Sequence, residues 1–203
     1  MSRLVVTNIE TQNIMFDSDT TAFTIASDGN VSGNGLAMSK ISESVGTNVA
    51  QFDITGFSET YDTYYISFDA VAANDNIQFF AKMFVGGTLI TANHFGFEVV
   101  TKGSSPSVSE GDDIFIRFER YGTGNAAGEG ITGGFHIYNR NSSTRPTSAA
   151  GSCNGLSGSA NHDHLSFGGI QKPAYVGNVM SGIRLYFASG NIAAGTVKLY
   201  GIK

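Results

Sequence analysis

Strict alternation of apolar and polar residues near the end of the sequence constrains the fold more than any other feature. Large apolar side chains occupy every second position of the run Ile183–Phe187, and the run Thr196–Ile202 follows a similar pattern. A period of two is typical of β-strands with one buried face and one solvated face. The segment Ser189-Gly190-Asn191 separates the two runs, and we expect Gly190 and Gly195 to supply backbone conformations that other residues resist.

The same alternation recurs through most of the chain and predicts an all-β fold. Alternating runs occupy Ala50–Ile54, Tyr64–Ala70, Ile77–Val85, Phe95–Val99, Ile114–Phe118 and Phe135–Tyr138. The nearest helical candidate, Leu36–Val45, is rich in serine and lacks an apolar stripe, so it is more typical of a strand or a loop. With about eight strands between turns, the sequence predicts an antiparallel β-sandwich, with a jelly roll as the favoured topology.

Two regions depart from this rhythm and suggest how the chain is divided. We predict a short N-terminal arm or small β-meander over residues 1–35, for attachment or assembly, and a β-sandwich domain over residues 36–203. Alternatively, residues 1–35 supply the first strands of the same core. Residues 139–182 are rich in serine, glycine and asparagine. We expect a long loop there, and another over residues 122–134, each facing outward or packing on a neighbouring subunit.

The composition disfavours several classes of function. Charged residues make up 14% of the chain, against about 25% in an ordinary soluble domain, and the formal net charge is −5. Because no cluster of lysine and arginine is present, we expect no nucleic-acid partner. No run reaches the roughly 18 apolar residues of a membrane span, so we expect no membrane insertion. The lone cysteine, Cys153, lies among serine and glycine, where we expect a loop and a free thiol made in a reducing cytoplasm.

The segment His162-Asp163-His164 is the sharpest candidate for a metal site. In an extended segment, residues two apart lie on one face, so His162 and His164 can present both imidazoles to one transition-metal ion. Two nitrogens alone do not hold a metal, and a trimer would have to bring three such pairs together. We favour a solvated or inter-subunit polar loop as the explanation of these residues, and we expect no cofactor.

Two glycine-containing motifs imitate signatures of enzymes. The segment Gly122–Ala127 fits the dinucleotide pattern G-x-G-x-x-[G/A], but further glycines follow it where that pattern requires a helix. The segment Gly151–Gly155 imitates a nucleophile elbow, but no strand-to-helix turn surrounds it. We therefore predict that the protein is not an enzyme.

Aromatic and polar side chains near predicted turns form a candidate contact surface. Flat aromatic rings beside amide and hydroxyl groups suit glycans, although packing of the ring with the hydroxyl at the wet rim accounts for most strand tyrosines. We single out six residues for contact with a receptor or between subunits: Tyr138, Asn139, Arg140, Asn141, Arg145 and Tyr121. A host surface glycan is accordingly a candidate partner.

Both ends of the chain resemble proteins of tailed bacteriophages. The SGN…GT…LYGI pattern within Ser181–Lys203 is similar to the ends of small β-sandwich proteins on phage virions, and Met1–Gly33 resembles the start of phage fibre proteins. The resemblance implies a virion structural protein that is made in the host cytoplasm and assembles with other phage structural proteins. It also implies a homotrimer, which no heptad or repeat in the sequence indicates.

Three placements are compatible with this resemblance. The first is a tail-fibre or tail-tip module that contacts the host surface, which the two end segments favour. The second is a capsid decoration, or cement, protein that stabilises the head shell, which the small size and the lack of a fibrous repeat favour. The third is a module that binds or degrades host polysaccharide.

Overall fold

Strands account for nearly all the regular structure of the protein. The computed structural model describes residues 13–15, 21–25, 31–32, 38–61, 63–91, 95–102, 107–112, 115–118, 122–156 and 162–203. The strands are β1 (Asn13–Met15), β2 (Thr21–Ile25), β3 (Val31–Ser32), β4 (Met38–Val49), β5 (Phe52–Ile54), β6 (Thr63–Ala72), β7 (Phe79–Val85), β8 (Thr88–Leu89), β9 (Phe95–Lys102), β10 (Ser107–Asp112), β11 (Ile116–Arg117), β12 (Gly130–Tyr138), β13 (Ser148–Leu156), β14 (His162–Gln171), β15 (Met180–Phe187) and β16 (Ile192–Ile202). A 3-10 turn, Pro173–Tyr175, precedes β15, and these ranges contain no α-helix.

The strands form three antiparallel sheets. The large sheet has eight strands in the order β10-β9-β14-β13-β12-β6-β16-β4. The small sheet has the order β11-β7-β15-β5, with β8 paired to β7, and it packs against the large sheet across one core. The strands β1, β2 and β3 form a separate sheet. The predicted all-β class and antiparallel β-sandwich are therefore confirmed.

The connectivity of eight of these strands is that of a jelly roll. The chain passes from β4 in the large sheet to β5 in the small sheet, back to β6 and again to β7. It then stays in the small sheet for β11, before it alternates through β12, β15 and β16. Two four-stranded layers are thus wound around one core, and β16 lies between β4 and β6.

Two inserted hairpins widen the large sheet on one side. Strands β9 and β10 are inserted between β7 and β11, and strands β13 and β14 between β12 and β15. The two hairpins join each other where β14 pairs with β9, with Phe167 opposite Val99. They join the jelly roll through β13, which pairs with β12 along the length of both strands. The large sheet consequently has twice the four strands that the jelly roll alone contributes.

Aromatic rings dominate the core between the large and small sheets. On β6, the inward residues Ile66 and Phe68 are buried and alternate with outward, more exposed residues. The ring centroid of Phe68 lies 4.8 Å from that of Phe118 and 5.6 Å from that of Phe79. Phe118 in turn packs edge to face on Phe167 at 4.8 Å, within the range of favourable aromatic pairs. This cluster holds the inserted strands and the jelly roll in one core.

The expectation of a long loop over residues 139–182 is wrong. Strands β13 and β14 occupy much of this range, and the buried thiol of Cys153 donates to the carbonyl oxygen of Phe118 at 3.1 Å. Small residues are required on β13 because a Cβ atom on Gly151 would lie 2.5 Å from the Cβ atom of Phe135. The serine, glycine and alanine of this region therefore reflect close packing of neighbouring strands.

The glycines near the end of the sequence have two different roles. Gly190, with φ of 74°, adopts the left-handed conformation in the turn between β15 and β16, as predicted. Gly195 instead lies within β16, where a Cβ atom would be 2.7 Å from the carbonyl oxygen of Asp69. The predicted loop over residues 122–134 is also shorter than expected, since β12 begins at Gly130.

The N-terminal boundary of the sandwich domain stays a prediction. Within residues 1–35, β2 pairs with β1 and with β3, and the rest of that range lies outside the described residues. The serine-rich candidate Leu36–Val45 is a strand from Met38 onward, where β4 begins.

Candidate binding face on the large sheet

The solvent-facing side of the large sheet, called the outer face below, is a mixed surface on which polar residues alternate with exposed apolar ones such as Val45 and Ile170. Residues of β6 show how alternation builds it: Tyr65 and Ser67 are half-buried and Asp69 is exposed, whereas the residues between them are buried. Directly opposed residues of antiparallel strands project from the same side of a sheet. Each outward residue of β6 therefore lies in a row with the residues opposite it on the neighbouring strands, and these rows make up the outer face.

The first feature of the outer face is an aromatic cluster made of Tyr200, Tyr65, His136 and Tyr138. Tyr200 lies opposite Tyr65, and Tyr65 lies opposite His136. The ring centroids in these pairs are 6.1 Å and 4.9 Å apart. His136 stacks on Tyr138 with the centroids 6.0 Å apart and the ring planes at 18°. Because Tyr138 is 39% exposed, the cluster ends in a ring that solvent reaches.

Beside the aromatic cluster, the outer face is lined by small residues. The row of Tyr65 continues across the sheet as Ala150 and then Gly168. Gly134 lies beneath Tyr65, since a Cβ atom there would overlap the tyrosine hydroxyl group. The side chain of Tyr65 therefore lies across β12. The middle of the outer face is low and flat, with the aromatic cluster at its border.

The second feature is a polar groove centred on Asp69. A depression of about 320 Å³ and another of about 380 Å³ lie side by side and share Asp69 and Thr132 in their walls. The two together are called the polar groove. Its polar side chains belong to Glu43, Lys198, Ser67, Thr196, Thr132, Asp69, Asn154, Glu129 and His162. Asp69 is four residues from Tyr65 along β6, or about 13 Å at 3.3 Å per residue. Ser67 and Lys198, which line the smaller depression, are two residues from Tyr65 and Tyr200, so the groove adjoins the aromatic cluster.

The charges of the polar groove are only partly balanced. Glu43 forms ion pairs with Lys40 at 3.2 Å and with Lys198 at 3.9 Å, both on the surface, where such pairs contribute about 0–1 kcal/mol. The carboxylate of Glu129 accepts a hydrogen bond at 2.7 Å from a backbone N–H in the preceding turn. The carboxylate of Asp69 has no hydrogen bond or ion pair to another described residue. It can accept hydrogen bonds from a ligand.

The two histidines of the candidate metal site lie at the start of β14, where we had expected a loop. His162 and His164 are both exposed and lie on the same face of the strand, as the extended spacing predicts. Nδ1 of His164 lies 3.0 Å from Oδ1 of Asn154 on β13. Within the described part of the chain, no group of three or more His, Cys, Asp or Glu residues could hold a metal ion. A metal role for this pair stays a prediction that depends on a partner subunit.

The residues of the predicted contact cluster around Tyr138 do not form one surface, because Arg140 is buried whereas others are exposed. Arg140 is only 5% exposed. It donates from Nη1 to the carbonyl oxygen of Met180 at 3.1 Å and from Nε to Oδ1 of Asn141 at 2.7 Å. Its guanidinium carbon lies 5.8 Å from the ring centre of Tyr64. The prediction of Arg140 as a surface contact is therefore wrong, because its side chain is used to satisfy groups inside the fold.

The other members of that predicted cluster have separate positions. Tyr138, Asn141 and Arg145 are exposed, and Asn139 has φ of 56° in the turn that follows β12. Tyr121 lies outside the described residues. Tyr138 is the member that belongs to the aromatic cluster of the outer face, and the contact role of these residues stays a prediction.

Apart from His162, the residues of the polar groove were not predicted from the sequence. Asp69 was visible as an outward position of an alternating strand, next to other polar positions. The sequence does not indicate, however, that β12 and β16 flank β6 and bring Thr132 and Thr196 to the same row as Asp69. The groove is a product of pairing between strands that are distant in the chain.

The solvent-facing side of the small sheet is occupied by its own interactions. Arg184 donates from Nε and Nη2 to the two carboxylate oxygens of Asp53 at 2.6 Å and 2.7 Å, and it lies 5.3 Å from the ring centre of Phe84. Nζ of Lys82 lies 5.6 Å from the ring centre of Tyr186. Burial raises the pKa of Tyr186 to about 12, against a smaller opposing effect of the Arg184 charge. The large sheet is therefore the better candidate for binding.

Comparisons with protein-family models, with curated proteins and with solved structures gave no match. Among the described residues, no helix has the length and apolar character needed to cross a membrane.

Proposed function

We propose that the protein is a non-enzymatic structural protein of a bacteriophage virion, a homotrimeric tail-fibre or tail-tip module that contacts the host surface. The observation that carries this proposal is the jelly roll whose eight-stranded large sheet presents outward residues of β6, β12, β14 and β16 that are exposed or half-buried. Jelly rolls are common among viral capsid and lectin domains. Because a fold alone does not specify a function, the properties of the outer face carry the rest of the argument.

The outer face combines features of a polar recognition surface. It has an exposed aromatic ring at Tyr138, a flat floor of small residues and a groove lined by hydroxyl, amide and carboxylate groups. With only 14% of its residues charged, the chain hydrates its surface largely through neutral polar groups. Polar, wet interfaces of this kind can be specific. The resemblance of the two chain ends to surface proteins of phage virions suggests the virion context.

Cryo-electron microscopy of purified particles tests this placement. We expect the protein to form trimers at the tail tip or on the fibres, with the outer face directed away from the particle. Particles from a phage that lacks the gene serve as the control, because the assigned density must then disappear. Finding the protein at repeated positions of the head lattice would make it a decoration protein. Finding it on no part of the particle would overturn the virion proposal.

A further inference from the structure

We infer that the outer face binds a neutral, hydroxyl-rich oligosaccharide in one continuous site that joins the aromatic cluster to the polar groove. This inference rests on the proposed contact function and names its ligand class. Three features of the outer face carry it: the aromatic rings, the low floor beside them and the carboxylate of Asp69, which has no partner among the described residues.

The aromatic cluster provides a surface for the apolar side of a sugar ring. Tyr138 is exposed and stacks on His136, which in turn contacts Tyr65. Rigid aromatic rings with a polar edge combine a large contact area with a hydrogen-bonding group. The small residues Ala150 and Gly168 leave space beside the rings, so that a flat ligand can reach the sheet without displacing protein side chains.

The polar groove provides acceptors and donors for sugar hydroxyl groups. The free carboxylate of Asp69 can accept hydrogen bonds from two hydroxyl groups, and such charge-assisted bonds are stronger than neutral ones. The hydroxyl of Thr132 donates to the carbonyl oxygen of Phe68 at 3.4 Å and so keeps its own oxygen available as an acceptor. Asn154 and Thr196 line the same groove. Sugar hydroxyls are both donors and acceptors, and this mixture of groups matches them.

The length of the site indicates an oligosaccharide. Along β6, Tyr65 lies about 13 Å from Asp69, and Tyr138, which is opposite Thr63, lies about 20 Å from it. Both distances exceed the width of a single sugar ring. The two depressions on either side of Asp69 extend the groove across several strands, from Glu43 on β4 to His162 on β14. A chain of linked sugars can therefore contact the rings and the carboxylate at the same time.

The charge of the groove favours a neutral ligand. Lys198 is paired with Glu43, whereas Asp69 and Glu129 have no basic partner among the described residues. The uncompensated carboxylates repel anionic polysaccharides and nucleic acids.

A glycan array tests the ligand class with the full chain. The array carries neutral oligosaccharides of hexoses and N-acetylhexosamines, with heparin and polygalacturonate as anionic comparisons. We expect binding to at least one neutral oligosaccharide and none to the two anionic polymers. The inference is overturned if the protein binds no glycan on the array, or if it binds only the anionic polymers.

Variants locate the binding on the outer face. By titration calorimetry with the bound oligosaccharide, we expect Asp69→Asn to weaken affinity about tenfold, since it removes a charge-assisted acceptor. Tyr138→Ala should weaken affinity by a similar factor through loss of stacking. Glu59→Gln, at an exposed position outside the groove, makes the same change in charge and should bind like the wild type. Equal affinity of the Asp69→Asn variant and the wild type would contradict the proposed site.

The glycan experiment and the particle experiment fail independently. A protein found at the tail that binds no neutral oligosaccharide retains its proposed function and loses the proposed ligand. A protein that binds the oligosaccharide through Asp69 but lies on the head lattice retains the site and loses the tail placement.

Discussion

Arg140 donates a hydrogen bond from Nη1 to the carbonyl oxygen of Met180 at 3.1 Å, and the Met180 N–H donates to the carbonyl oxygen of Arg140 at 3.3 Å. This reciprocal pair joins the turn after β12, in the large sheet, to the start of β15, in the small sheet. The guanidinium group is buried and multiply bonded, so its removal leaves a carbonyl oxygen without its side-chain donor.

We expect Arg140→Ala to lower the free energy of unfolding by about 2–3 kcal/mol, because a buried acceptor loses its partner and the aliphatic stem leaves a void. Arg145→Ala is the matched control, since the Arg145 side chain is exposed, and it should change stability by less than about 0.5 kcal/mol. Urea denaturation followed by circular dichroism measures both. Equal stability of the two variants would show that the buried guanidinium contributes nothing.

Adjacent glycines on β14 should differ sharply in their tolerance of alanine. A Cβ atom on Gly169 would overlap the carbonyl oxygen of Phe115, whereas one on Gly168 would lie 3.1 Å from the carbonyl oxygen of Ala149. We expect Gly169→Ala to destabilise the protein by about 2–3 kcal/mol through overpacking and Gly168→Ala by less than about 1 kcal/mol. Thermal unfolding of the two variants measures the difference, and an equal loss would contradict the close approach of Phe115.

Alkaline pH should destabilise the protein in part through Tyr186. Its pKa is raised to about 12 in the fold, above the ordinary value of about 10, so the folded state favours the neutral phenol. The resulting stability is complete below about pH 10 and is lost as the pH rises toward about 12.

Tyr186→Phe removes this contribution, because phenylalanine does not ionise. We expect the wild type to lose more stability than the variant between about pH 9 and pH 12, measured by urea denaturation across that range. Parallel loss in both proteins would assign the alkaline transition to other groups.

The thiol of Cys153 should react only when the fold opens. The side chain is 1% exposed, and its Sγ atom donates to the carbonyl oxygen of Phe118. Buried structural cysteines are inert, so we expect a chromogenic disulfide reagent to modify the native protein at the rate of local or global opening. The same reagent should react at once in denaturant. Immediate reaction of the native protein would place the thiol at the surface.

The strands that could be predicted from the sequence are those with large residues on one face and polar residues on the other. Strand β6 shows this most clearly, with Ile66 and Phe68 buried beside outward Tyr65 and Ser67. Strand β13 was not predicted because its inward residues are small and so show no alternation of large apolar and polar side chains. Gly151 faces Phe135 so closely that any side chain is excluded, and the large hydrophobic groups that fill this part of the core come from other strands.

The candidate site was harder to predict than the fold. The sequence grouped Tyr138 and Arg140 in one candidate contact surface near predicted turns, but only Tyr138 is exposed. Burial of Arg140 depends on acceptors from Met180 and Asn141, and the Met180 acceptor lies far away in the chain. Asp69 became a candidate only when its neighbours across β12 and β16 were known.

The central place of β16 between β4 and β6 has a consequence for how the protein is made. During translation, β4 and β6 leave the ribosome long before residues 192–202. Until β16 is made, the edges of β4 and β6 that will pair with it carry unpaired N–H and C=O groups. Such open edges are templates for association with other chains. Closure of the sheet must therefore follow synthesis of its final strand, and truncated translation products that lack this strand are expected to aggregate.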